Sequence, residues 1–68
     1  MNYMKLLSIK MDVKDRNGII AMAQDFIKYG YNYKFFITYD YPKFAIETYG
    51  EDELRKCWEI ACDDMNNL

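Results

Sequence analysis

The stretch Tyr31–Tyr49, YNYKFFITYDYPKFAIETY, carries eight of the twelve aromatic residues in a chain of 68. Its apolar side chains alternate, which is the period of a half-buried strand, and Tyr41-Pro42 interrupts the alternation where a turn accepts proline. The segment is therefore expected to form one antiparallel hairpin. Pairing Tyr39 with Phe44 sets Ile37 against Ile46 and Phe35 against Thr48. In that register Phe35, Ile37, Tyr39, Phe44 and Ile46 face the core. Lys34, Phe36, Thr38, Ala45, Glu47 and Tyr49 face the open side.

Working outward, Tyr3–Val13 also alternates, with Leu7, Ile9, Met11 and Val13 on one face, and is expected to be strand one. Asp15-Arg16-Asn17-Gly18 breaks that pattern. Beyond it Ile19, Ile20, Ala23, Phe26 and Ile27 recur at helical spacing, with Asp15 or Asn17 as N-cap and Gly30 as the stop. After Gly50, Glu51-Asp52-Glu53 suits the positive end of a helix dipole. Leu54, Cys57, Trp58, Ala61 and Met65 then make an apolar stripe. The resulting order is β-α-β-β-α in a single domain, residues 1–68. Its fold class is α+β, two layers, with a three-stranded antiparallel sheet covered on one face by two helices.

This order, together with Asp15-Arg16-Asn17-Gly18-Ile19-Ile20, resembles the opening of ACT domains, where a strand runs into an Asp-Arg-x-Gly-Ile-type turn. The resemblance implies a truncated ferredoxin-like fold without the fourth strand. It also implies a small-molecule, amino-acid-sensing role in which Asp15, Arg16, Asn17 and Gly18 contact the ligand. Without a fourth strand, strand one is an open edge that invites self-pairing into a homodimer or strand addition by a partner.

Composition narrows the chemistry. Histidine is absent and there are two cysteines, so a structural zinc site within one chain lacks ligands and the commonest general base is missing. Cys57 and Cys62 stand about 140° apart around a helix axis, which disfavours a disulfide between them. No Gly-rich phosphate loop, no nucleophile with a base and no paired carboxylates occur. An enzyme, a metal and a cofactor are therefore not expected. The absence of a signal-peptide pattern and of a long apolar run points to a soluble, cytoplasmic, reduced protein. Phe, Tyr, Met, Ile, Asn and Lys supply 35 residues against 10 from Gly, Ala, Arg and Pro, the bias of AT-rich coding in a low-GC bacterium or its phages.

Net charge is -2, but residues 1–46 carry +3 and residues 47–68 carry -5, making the C-terminal segment an acidic pole. The acidity and the lack of an RNP-like motif argue against direct nucleic-acid binding. What remains is a small non-enzymatic module that docks on a larger intracellular protein, such as a nucleic-acid-processing complex, and inhibits or regulates it. A phage or mobile-element inhibitor of a host defence nuclease, of anti-CRISPR or anti-restriction type, fits that description. Its expected contact residues are Phe36, Tyr39, Tyr41 and Tyr49 on the hairpin and Glu51, Asp52, Glu59 and Asp63 on the acidic helix. Phe36, Tyr41 and Tyr49 are expected to be replaceable without unfolding the domain.

Overall fold

The computed structural model describes residues 10–67, and among them there are helices and no strand. The four helices are α1 (Val13–Lys28), α2 (Tyr33–Phe36), α3 (Asp40–Tyr49) and α4 (Glu51–Asn66). The α+β sheet, the ferredoxin-like order and the ACT resemblance are thereby overturned. Tyr3–Ile9 of the expected strand one lies outside the described residues. The remainder of that strand is not extended into a sheet: Met11 is buried in the core, whereas Val13 opens α1 and is 70 % exposed.

Capping explains where α1 begins and ends. Asp12, not Asp15 or Asn17, is the N-cap, with its Oδ1 accepting the Asp15 amide at 2.8 Å in the manner of short polar caps. Asp15-Arg16-Asn17-Gly18 is therefore helical rather than a turn. At the other end the Tyr31 amide reaches back to the Phe26 carbonyl at 2.9 Å and the Gly30 amide to that of Ile27 at 3.0 Å. These are the paired bonds of a Schellman closure, made at Gly30 with φ +86° and accompanied by contact between the Phe26 and Tyr31 rings at 5.7 Å.

The expected hairpin is replaced by two helices for reasons visible in its own residues. Asn32 caps α2 by accepting the Phe35 amide at 2.9 Å. Pro42 sits at the third position of α3, where an amide has no intrahelical acceptor to lose. From there Pro42 and Ala45 are buried, and Ile46 and Tyr49 half-buried, on one helical face. The register pairs Tyr39–Phe44, Ile37–Ile46 and Phe35–Thr48 do not form. The inside-outside assignment largely inverts: Phe36 and Ala45, expected on the open face, are 0 % exposed, while Phe35, Tyr39 and Phe44, expected in the core, are 39 %, 43 % and 48 % exposed. Gly50, with φ +98° and ψ 153°, then turns the chain directly into α4 through a conformation open essentially to glycine alone.

The core is Met11, Ile19, Ala23, Phe36, Ala45, Leu54, Cys57 and Ala61. One alanine from each long helix has no exposed surface, so the three backbones approach closely. The helical stripes expected for α1 and α4 are the ones that pack together. Arg16 lies 3.8 Å from Glu53 near the start of both helices. Gln24 donates to Asp64 at 3.1 Å near their ends, so α1 and α4 run parallel. Phe36 plugs the gap beneath α2, with its ring 5.2 Å from Phe26 and 5.0 Å from Trp58.

Candidate functional site

The residues first marked for ligand contact hold the helices together instead. The Asp15 carboxylate accepts from the Tyr49 hydroxyl at 2.6 Å and from the Tyr41 hydroxyl at 3.3 Å. Both bonds join α1 to α3. Donation to Asp15 is the main cause that pushes the Tyr49 hydroxyl up to about 12, and burial, followed by the Asp15 charge, raises Tyr41. Gly18 lies under the Tyr41 ring: a Cβ there would meet the hydroxyl at 2.7 Å. Packing thus accounts for a glycine inside a helix, where it costs about 1 kcal/mol relative to alanine. Arg16 faces Glu53, and Asn17 is exposed. The strand-to-helix turn of the ACT resemblance is absent, because Asp15 to Gly18 lie within α1.

Of the residues marked for partner contact, Phe36 is wholly buried, and Tyr41 and Tyr49 are half-buried by the helices they connect. The structure therefore corrects the placement of Phe36 and Tyr49 on an open sheet face and of Tyr41 at a hairpin tip. Tyr39, Glu51, Asp52, Glu59 and Asp63 are exposed. Glu51 is engaged: it accepts from Tyr33 at 3.0 Å and pairs with Arg55 at 3.4 Å. Arg55 in turn lies 4.6 Å over the Tyr33 ring. Burial, reinforced by the bond to Glu51, pushes the Tyr33 hydroxyl up to about 12.

Asp52, Glu59 and Asp63 have a different environment. Arg55 pairs with Glu51, and Lys56, which stands on the same side of α4 as Asp52 and Glu59, pairs with Glu53 at 3.6 Å. Among the described residues no cation comes within ion-pair distance of Asp52, Glu59 or Asp63. At about 100° and 1.5 Å per residue, the three fall within about 40° of a single line and span about 16 Å along the helix. α4 thus presents three solvated carboxylates on one side, with Lys56 standing between Asp52 and Glu59. The open groove of ≈ 640 Å³ at the α3–α4 joint is of mixed sign, with Lys10 and Lys56 facing Glu51, Asp52 and Glu53, so it has no single-signed field to attract an ion.

A second exposed surface is aromatic. Tyr31, Phe35 and Tyr39 gather around Phe26, with rings 5.7, 5.9 and 5.0 Å from it, at the corner where α1 gives way to α2. The hairpin register places Phe35 and Tyr39 in the core, whereas the structure exposes both. The overlooked signal is Asn32 two residues after Gly30, a cap that restarts a helix and turns Phe35 outward.

Both cysteines are free thiols, Cys57 in the core with its Sγ 3.8 Å from the Met11 sulfur and Cys62 half-buried. Burial raises both above the usual thiol range, and the Asp63 and Glu59 charges push Cys62 further. Neither is primed as a nucleophile. Among the described residues no group of three or more Cys, Asp or Glu side chains is placed to hold a metal ion, and no helix is long and apolar enough to cross a membrane. Comparison with protein-family models, curated proteins and solved structures finds no match to this chain.

Proposed function

We propose that the chain is a non-catalytic protein-binding module that docks through the outer face of α4 on a basic surface of a larger intracellular protein and thereby inhibits or regulates it. The observation that carries this reading is the set Asp52, Glu59 and Asp63 on one side of α4, none of which has an ion-pair partner among the described residues. Glu59 and Asp63, four residues apart on one helix, repel one another, and a complementary cationic surface relieves that repulsion while speeding encounter. Cationic surfaces of this kind line the channels of nucleic-acid-processing complexes, where they track phosphates. Carboxylates held on one side of a helix would compete for that ground. Together with the AT-rich coding bias, this favours a phage or mobile-element inhibitor of a host defence nuclease.

The test is a paired affinity capture from a low-GC bacterial lysate with the native chain and with the isosteric variant Asp52→Asn/Glu59→Gln/Asp63→Asn. The reading expects proteins retained by the native chain, lost with the variant and released by moderate salt or by competing DNA. Identical retained sets for the two baits would refute it.

A further inference from the structure

We infer that Gly50 is a hinge through which this chain exchanges α4 with a second copy, fusing α3 and α4 into one helix from Asp40 to Asn66 and making a two-fold pair. Gly50 is the only residue between the two helices and belongs to the hydrogen-bond ladder of both. Its amide donates to the Ile46 carbonyl at 2.9 Å, continuing the pattern of α3, and its carbonyl accepts the Leu54 amide at 3.4 Å, opening that of α4. The break therefore lies in one pair of backbone angles, φ +98° and ψ 153°. Turning that pair to about −63° and −42° continues the helix. The amides of Glu51, Asp52 and Glu53 have no backbone or capping acceptor among the described residues. In the fused helix they would meet the carbonyls of Glu47, Thr48 and Tyr49 at the i to i−4 spacing, so the orphan donors of one helix end and the orphan acceptors of the other are satisfied by rotating a single residue.

Straightening the joint takes α4 away from the rest of its own chain, and only a second copy supplies the same ground. Leu54, Cys57 and Ala61 of α4 are at most 1 % exposed and share one cluster with Ile19 and Ala23 of α1, so they do not remain in water. In an exchanged pair each α4 packs on the other copy's α1. The Arg16–Glu53 and Gln24–Asp64 contacts then form between chains instead of within one. Exchange of an identical element needs no new interface chemistry, which selects a second copy over an unlike protein. The acidic joint holds the exchange in check. Glu51, Asp52 and Glu53 suit the positive end of a helix dipole only while α4 starts there, and in a fused helix Glu47 and Glu51 stand four apart and repel. Salt screens these effects, so exchange should rise with ionic strength. Because α4 must leave the core first, the two forms should interchange only under conditions that approach unfolding.

The test is to hold the native chain at submillimolar concentration and high salt near its urea midpoint, remove the urea, and separate the products by size exclusion with light scattering. A species of twice the monomer mass should appear and persist for hours after dilution to low micromolar concentration, whereas loosely associated monomers separate at once. A Cβ at Gly50 meets no atom within 4 Å, so alanine there reads backbone conformation alone. Gly50→Ala should shift the balance toward this species at least about a hundredfold, because alanine is penalised in the closed joint and favoured inside a helix. Gly30→Ala should not. Chains carrying Gln24→Cys/Cys62→Ser and Asp64→Cys/Cys62→Ser, mixed and taken through the same cycle, should be joined to one another by a short bismaleimide. If Gly50→Ala is unfolded at low micromolar concentration, helical circular dichroism should return on concentration as the dimer forms. A native chain that yields only monomer, a Gly50→Ala chain that stays monomeric or unfolded at submillimolar concentration, or a dimer whose introduced cysteines do not link would each overturn the inference.

Discussion

Truncating Phe36 and Phe44 to alanine distinguishes the helical fold from an alternating hairpin, because the two architectures rank these phenylalanines in opposite order. A hairpin paired through Tyr39–Phe44 has Phe44 inside and Phe36 on the open face. In the structure Phe36 is 0 % exposed, within 5.2 Å of Phe26 and 5.0 Å of Trp58 by ring centres, while Phe44 is 48 % exposed. A fully buried phenylalanine cut to alanine loses its transfer free energy and leaves a cavity, about 3–5 kcal/mol together. Burying a phenylalanine completely gains about 1.5–3 kcal/mol, so the half-exposed Phe44 should cost only about 1 kcal/mol. A chain of 68 residues has roughly 3–10 kcal/mol of total stability, so Phe36→Ala consumes a large part of it. At about 4–8 °C per kcal/mol for domains of this size, Phe36→Ala should lower Tm by at least about 12 °C and Phe44→Ala by about 4–8 °C. Thermal and urea unfolding followed by far-ultraviolet circular dichroism, with all proteins at one concentration, measures both. If Phe44→Ala costs as much as Phe36→Ala or more, the helical packing of Tyr31–Tyr49 is wrong.

Two other tests address the connections between helices. Tyr49 and Tyr33 are each held up to about 12 in the fold, and Tyr41 is raised as well, whereas an unfolded tyrosine titrates near 10. The protonated hydroxyls therefore favour the fold fully below about pH 10, and that contribution is lost as pH rises from about 10 to 12. Urea midpoints should fall across that window while tyrosinate absorbance lags that of the unfolded chain, and Tyr49→Phe should remove its own share of the fall. A flat midpoint would contradict the Asp15 and Glu51 bonds. Alanine at Gly30 or Gly50 meets no atom within 4 Å, so its cost is conformational: about 1–2 kcal/mol at Gly30, whose Schellman geometry is left-handed helical, and up to about 3 kcal/mol at Gly50, whose φ and ψ lie where only glycine is at ease. Equal Tm losses for the two variants would show that the α3–α4 joint relaxes out of that conformation.

How much could be read from the sequence depended on whether two periods competed. In α1 and α4 they do not: Ile19, Ile20, Ala23, Phe26 and Ile27, and likewise Leu54, Cys57, Trp58, Ala61 and Met65, fit a helix and no strand, and both segments are helical, though they pack against each other and α3 instead of against a sheet. Gly30 stops α1 as its position suggests. Between Tyr31 and Tyr49 apolar residues occupy both odd and even positions. The set Phe35, Ile37 and Tyr39 supports a strand, while Tyr33, Phe36 and Ile37 followed by Pro42, Ala45, Ile46 and Tyr49 support helices. Aromatic and β-branched residues tilt the choice toward strand, yet that preference is a statement about packing surfaces rather than backbone. Capping signals break the tie. Asn32 after a glycine, proline in the first turn of α3 and Gly50 at its end frame two helices.

The same reasoning explains why one candidate surface was readable and another was not. Asp52, Glu59 and Asp63 could be placed on an outer face as soon as α4 was recognised, because helical geometry alone sets their direction. The role of Asp15 depends on Tyr49, 34 positions away, and on Tyr41 lying over Gly18. No local pattern links those positions. An aspartate, an arginine and a glycine clustered near a helix start suggested a ligand loop, whereas their partners turn out to be tyrosines and a glutamate of the same chain. Asp15 and Arg16 are engaged in holding α1 to α3 and α4. In the proposed docking, recognition therefore falls to the carboxylates of α4, which the fold exposes and does not pair among the described residues.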